Sequence, residues 1–402
     1  MRRTIGFVGS TVWRLQTDHL MGKLSISFFA LSVLLDAAEP KFRQYDLDTK
    51  VGVGYGLQLA DMNGDGKTDV VLVDRDKVVW YENSTWKKHQ ISGRLTQRDH
   101  VCVAARDIDG DGKAEIAVGA QWNIGETTDL AKSGSVFYLR PTSDRRGNWT
   151  PVRLHHEPTT HRMHWLRNSD GMFDLVVKPL YGRNNRGGKG EGIKVYSYHM
   201  PKDFKGKWSI SLVSDFLHDS HNFHPINWDK DPEEEFLQAA FEGVWLFDRR
   251  NGKWKGERLT QNWAGEVRDG KTSSGQRFVT AIEPKHGTTV AVYLKSGDKY
   301  ERVVLDETFR DGHALACADF LGTGGDQIVA GWRGMRPRAV PGVKLFVPQN
   351  NDYTKWKTYR LSGAEIAVED IKVADLNGDN KPEIVVAGRQ THNVKIFWNE
   401  SK

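Results

Sequence analysis

Apolar and polar positions alternate in short runs along almost the whole chain, and clusters of Gly, Asn, Asp and Ser separate the runs. Such period-two runs, rich in β-branched and aromatic residues, predict short strands joined by tight turns. Three stretches superpose on one another: residues 57–73 (LQLADMNGDGKTDVVLV), 103–119 (VAARDIDGDGKAEIAVG) and 371–387 (IKVADLNGDNKPEIVVA). Each reads as a strand, an acidic glycine-rich loop and a second, β-branched strand. Weaker copies occupy residues 165–178, 224–240 and 316–331, and the most eroded is residues 278–293 (FVTAIEPKHGTTVAVY).

A third strand and a Trp- or aromatic-marked fourth follow most copies, for example residues 78–82 then 86–91, and 243–247 then 254–259. Four strands per repeat at this spacing predict an all-β, seven-bladed β-propeller of four-stranded blades. The last repeat ends near Trp398 after three strands, and residues 41–47 (KFRQYDL) match the missing fourth. An N-terminal strand closing the ring removes an exposed sheet edge. The propeller is therefore expected to be a single domain over residues 39–402. Before it, residues 24–35 (LSISFFALSVLL) are too short an apolar run to span a bilayer comfortably and follow Met21 and Lys23. They read as a signal peptide starting at Met21, with residues 1–20 an upstream extension. A secreted or periplasmic protein with no membrane span after cleavage is expected.

Composition adds exclusions. Forty Gly, thirteen Pro and fourteen Trp in 402 residues suit many turns and aromatic-marked strands, and the net charge of +5 is interspersed rather than striped. A nucleic-acid partner is therefore not expected. Cys102 and Cys317 allow one bridge at most, lack zinc spacing, and sit in inner strands of non-neighbouring repeats, which predicts buried free thiols.

The acidic loops carry the first candidate chemistry. Asp61, Asn63, Asp65 and Asp69 put hard oxygens at alternate positions around a turn glycine, with a last carboxylate on the next strand. Asp107, Asp109, Asp111 and Glu115 repeat this, as do Asp375, Asn377, Asp379 and Glu383, and Asn227, Asp229, Asp231 and Glu235 form a fourth set. Many oxygens in a flexible cage suit Ca²⁺ in a structural role, and the strands that follow replace the helix an EF-hand needs. Metal-free Asx turns are the alternative. With these motifs the sequence resembles the FG-GAP/VCBS repeats, also seen in integrin α-subunits, over about residues 41–400.

The second candidate chemistry lies at the other end of each blade. The starts of first strands carry Tyr55, His100, His161, His221, His313 and Glu369, with Arg277 expected in blade five; the ends of second strands carry Trp122, Tyr181, Glu242, Trp332, Arg333 and Arg389. His164 and His224 follow three residues after two of the histidines. Converging imidazoles with a carboxylate suit Zn²⁺ or another divalent transition metal, with His164 and His224 as further ligands, or general acid–base work near neutral pH. His100, His161, His221, His313 and Arg333 are the catalytic candidates. Tyr55, Trp122, Tyr181, Glu242, Arg277, Trp332 and Arg389 are the substrate-binding candidates, because flat rings stack on sugars and charged groups bond hydroxyls. The glycine-rich residues 181–192 (YGRNNRGGKGEG) do not open a helix, so they read as an insertion rimming the pocket, not a phosphate cradle.

A His-rich channel mouth on this fold resembles the propeller of the aldos-2-ulose dehydratases. That resemblance implies a sugar lyase or dehydratase that removes a proton next to a carbonyl, acting on a small-molecule or oligosaccharide ligand. The alternative is a non-catalytic ligand-binding or adhesion propeller like the integrin head.

Overall fold

The computed structural model describes residues 39–201, 206–250, 252–335, 337 and 339–402. The expected signal peptide and upstream extension lie outside the described residues. Among the described residues the regular structure is all strand, in seven four-stranded antiparallel sheets. Six blades are continuous in sequence: residues 56–92, 102–154, 160–214, 223–258, 266–306 and 312–360. The seventh is composite. Its strands Val368–Ala374, Glu383–Gly388 and Asn393–Asn399 are completed by the N-terminal strand Phe42–Asp48, paired from Phe42↔Asn399 onward. Among the described residues no helix is long and apolar enough to cross a membrane.

Burial follows position within the blade. Second strands such as Asp69–Asp74 (DVVLVD), Glu115–Ala120 (EIAVGA) and Glu383–Gly388 (EIVVAG) are buried at every position. They lie in mid-sheet with neighbouring blades on both faces, so they read as continuous apolar runs. Outer strands such as Lys87–Ser92 and Trp356–Arg360 keep exposed polar positions.

The acidic loops cap one end. In the first, Asp61 accepts backbone N–H bonds from Gly64 and Gly66 at 2.7 Å each, and Asp69 accepts from Met62 and Asn83 at 2.8 Å each. The turn needs left-handed backbone at two positions, met by Gly64 and Gly66 (φ 82° and 78°) and, in blade seven, by Gly378 and Asn380 (φ 80° and 64°). An asparagine tolerates this region, which explains why NGDN can replace NGDG.

Blade five departs from the expected register. Its inner strand is Glu266–Lys271 and its second is Arg277–Glu283. Residues 278–293, taken from sequence as the first two strands, are thus the second and third. The error arises because the turn at residues 272–276 has no acids to mark it.

Candidate functional site

Inner strands begin at the end opposite the acidic loops. On three of them the ladder to the second strand skips one residue, between Thr160 and Arg162 in blade three, Gly312 and Ala314 in blade six, and Val368 and Asp370 in blade seven. The skipped residues are His161, His313 and Glu369. A bulge takes its side chain out of the strand's alternation and re-aims it, and all three side chains are buried here. In blade four the inner strand starts at Phe223, with His221 in the segment before it; in blade five Glu266 opens the strand.

These residues meet. The His161 and His221 rings lie 4.7 Å apart; His221 is 4.7 Å from His313 and 4.4 Å from His286, and His286 is 4.7 Å from His313. One ring nitrogen each of His221, His286 and His313 falls within 4.8 Å of the others. The Nδ1 atoms are already engaged. His161 Nδ1 lies 2.9 Å from the His221 carbonyl and His313 Nδ1 lies 2.6 Å from the Glu369 carbonyl, so both must donate. His221 Nδ1 is 2.7 Å from Glu266 Oε1, while Asn222 donates to Glu266 Oε2 at 2.7 Å. His286 Nδ1 lies 3.3 Å from both Asp311 Oδ1 and Arg333 Nη2. Its Nε2 is buried without a hydrogen-bond partner among the described residues.

Burial holds the imidazoles neutral. It pushes His161, His221 and His313 well below the ordinary histidine value and His286 down to about 2, and in each case nearby cations add to the effect. Neutral imidazoles with tethered Nδ1 atoms and an orphaned Nε2 fit a divalent metal. Burial raises the Glu266 carboxyl, against the pull of Arg268 and Arg162.

Around the cluster, Arg333 bonds Asp311 at 2.8 Å and the Glu369 carboxylate, and Arg389 bonds the other Glu369 oxygen at 2.9 Å. Arg162 Nη1 lies 3.2 Å from His161 Nε2, and Trp122 packs 5.0 Å from the His161 ring. Fully buried Lys178 donates to the carbonyls of Ser220 and His221. Lys285 bridges Tyr181 Oη at 3.0 Å and Asp219 at 2.8 Å. Tyr55 donates to Asp99 at 2.9 Å under the Arg389 guanidinium.

Of the sequence candidates, His161, His221, His313, Arg333, Arg389 and Trp122 come together, with Tyr181 joined to them through Lys285. Others stand apart. His100 is fully buried and accepts the Leu95 N–H through Nε2 at 3.1 Å, a loop contact outside the cluster. Arg277, expected at the mouth, starts a second strand and sits at the acidic-loop end, where it donates to the Asn227 carbonyl at 2.9 Å over the Trp228 ring. Trp332 is only 5 % exposed, packed on Phe309 with Lys344 and Arg360 over its ring, so it is a wall between blades and not a stacking platform. Glu242 pairs with His218 at 2.6 Å. His164 packs edge-on to Phe223 at 4.8 Å and His224 lies 3.3 Å from Asp269. Both line a separate cavity of about 520 Å³ deeper in the channel, with Arg268, Lys372 and Cys317. Cys102 and Cys317 are free thiols.

Sequence reading missed Glu266 and His286, both in the misregistered blade five. Counting four strands per blade would have found them, because the fourth strand of blade four ends near Arg258 and the next strand must then be an inner one.

In the acidic loops, single carboxylate oxygens of Asp107, Asp109 and Glu115 lie within 4.8 Å of one another, as do those of Asp229, Asp231 and Glu235. Burial pushes Glu115, Glu235 and Glu383 up to about 7 and Asp69 up to about 6, and Glu235 Oε1 is buried without a hydrogen-bond partner.

Comparison with known proteins agrees with the repeat. The FG-GAP-like repeat family matches residues 61–118 and the FG-GAP repeat matches residues 103–139. The chain is 23 % identical over 359 residues to aldos-2-ulose dehydratase of Phanerodontia chrysosporium, spanning 78 % of this chain and 38 % of that protein. It thus spans less than half the length of this curated relative. Among solved structures, BBS1N in complex with ARL6DN matches 90 % of this chain and 97 % of its own, with TM-score 0.54 and 12 % identity, a likeness of fold. An Agrocybe aegerita lectin solved for its recognition of non-reducing terminal N-acetylglucosamine matches 78 % and 81 % with TM-score 0.49 and 14 % identity. The chain is a seven-bladed β-propeller that matches FG-GAP repeats over residues 61–139 and is similar over most of its length to aldos-2-ulose dehydratase.

Proposed function

We propose that the protein is a secreted carbohydrate-active lyase or dehydratase whose site is the histidine cluster at the channel mouth. One observation carries the reading: imidazoles from blades four, five and six bring ring nitrogens within 4.8 Å while their Nδ1 atoms are tethered. Similarity to a dehydratase of sugars supports the substrate class.

His221, His286 and His313 are the residues to hold Zn²⁺ or another divalent transition metal. A metal bound there would act as a Lewis acid on a carbonyl oxygen. Glu266 and the Glu369 carbonyl fix the orientation of two ligand rings. His161 is the base: its Nδ1–H is spent on the His221 carbonyl, which leaves the lone pair on Nε2, where it accepts from Arg162 Nη1 at 3.2 Å until substrate takes that place. It removes the proton next to the carbonyl, and the electrons of that C–H bond move into the carbonyl as an enolate. As the enolate collapses, the hydroxyl on the carbon next to the deprotonated one leaves, taking the proton back from His161 to depart as water. Arg333 and Arg162 supply positive charge beside the developing oxyanion. Trp122 offers a flat face to the sugar ring.

Ca²⁺ belongs to the same proposal in a different role. The blade-two and blade-four loops group their carboxylates for it, and it would clamp the first two strands of those blades.

Turnover of 2-keto and 3-keto sugars, followed by enone absorbance, tests the reading. His161→Asn is expected to lower turnover by about 10²- to 10⁴-fold while leaving metal content unchanged. Absence of turnover on every such sugar by the metal-replete wild type would move the protein to the binding class.

A further inference from the structure

The glycine-rich insertion of blade three builds a second feature beside the cluster. Together with the blade-two insertion at residues 121–134 it walls a cleft of about 520 Å³ on the rim, whose floor includes Tyr181 and Asp219. Lys285 bonds both floor residues and is the chain neighbour of His286, so cleft and cluster share a wall.

The insertion is a built hairpin. Arg186 N donates to the Lys189 carbonyl at 2.7 Å and Glu191 N to the Arg183 carbonyl at 2.9 Å. Arg183 anchors the base by a bidentate pair to Glu157 at 2.8 and 3.1 Å. Its glycines are required by contact. A Cβ on Gly182 would lie 1.8 Å from the Glu191 carbonyl oxygen, and one on Gly192 would lie 1.7 Å from that of Asp215. Gly187 and Gly188 take left-handed backbone (φ 60° and 79°), as does Asn184 (φ 56°). A loop held this firmly presents its polar groups without an ordering cost on binding.

What it presents suits hydroxyls. The side chains of Asn184 and Arg186 line the cleft and make no hydrogen bond among the described residues, and Thr127 faces them from the blade-two wall. Ile124, 51 % exposed, adds an apolar surface to the same wall. Amide, guanidinium, carboxylate and hydroxyl groups beside a small apolar patch match a glycosyl unit, with one apolar face and a rim of hydroxyls. We infer that this cleft is a subsite for a second glycosyl unit, so that the ligand of the mouth is an oligosaccharide or glycoside and not a free monosaccharide. The inference rests on the sugar-site reading above and extends it to ligand length.

The test is binding of glucose, maltotriose, cellotriose, xylose, xylotriose, N-acetylglucosamine and N,N′,N″-triacetylchitotriose to the full chain by saturation-transfer NMR and calorimetry. At least one trisaccharide is expected to bind ten-fold or more tightly than its own monosaccharide. Arg186→Ala and Asn184→Gly, the latter keeping the left-handed backbone, are expected to erase that chain-length advantage with melting temperature unchanged. Equal affinity for every trisaccharide and its monosaccharide, or a preference that survives both variants, would overturn the subsite. The two readings fail separately. Keto-sugar turnover without chain-length dependence overturns the subsite alone, whereas a trisaccharide preference erased by the variants in a protein without turnover overturns the lyase reading alone.

Discussion

At the residue scale, the same imidazole does different work according to what its two nitrogens touch. His161, His221 and His313 spend Nδ1 on outward acceptors and stay neutral through burial. His100 stood level with them in the repeat alignment, yet its Nε2 accepts a loop N–H and its pKa is lowered to about 4, chiefly by burial. In the unfolded chain it takes up a proton near its ordinary value of about 6.5, so below that pH the unfolded state binds more protons than the folded one. Its contribution is present above pH 6.5 and is lost as pH falls toward 4, by about 3 kcal/mol at most. His100→Gln, which keeps an acceptor for Leu95, is therefore expected to lose less stability than wild type between pH 7 and pH 4, measured by chemical denaturation at each pH. Parallel losses in the two proteins would count against this account.

At the element scale, bulges and strand register decide which residues reach the mouth. Sequence repeats located the first-strand starts in blades three, four, six and seven because acidic loops or their remnants marked the turns. A one-residue bulge is invisible in the pattern, but it is what takes His161, His313 and Glu369 out of the strand alternation. Blade five had neither acids nor a Trp-marked boundary of its own, so its register slipped by a whole strand. Arg277 was placed at the wrong end, and Glu266 was left unread. The corrected register has a measurable consequence. Glu266→Gln keeps the shape but removes the carboxylate that orients His221, and is expected to weaken transition-metal affinity by about 10- to 100-fold. Arg277→Ala, at the opposite end, is expected to leave that affinity unchanged. Competition with a chromophoric chelator reads both, and the reverse ranking would restore the sequence-based register.

At the scale of the whole molecule, the ring assigns its two ends different tasks. One end repeats: Asx turns with carboxylates raised by burial, suited to Ca²⁺, recur in the blades that made the fold legible. The other end diverges, and divergence is what concentrates histidine, arginine and glutamate in one place. The fold was therefore almost fully readable from the sequence, since repetition is its signal. The site was half readable, because it is assembled from residues that break the repeat and from loops such as the one bearing His286. The closing N-terminal strand is also held from the neighbouring blade: Tyr81 and Lys88 both bond Asp48, at 2.6 Å each, so blade one grips the strand that completes blade seven.

The central claim is that His221, His286 and His313 form a transition-metal centre distinct from the acidic loops. Elemental analysis of the full chain, loaded with Zn²⁺ and Ca²⁺ and freed of excess metal, tests it most directly, with His313→Ala and His286→Asn alongside. The account predicts about one equivalent of zinc in wild type, a loss of most of it in both variants, and unchanged calcium and circular dichroism. Wild type that retains calcium alone, or variants that keep their zinc, would contradict it.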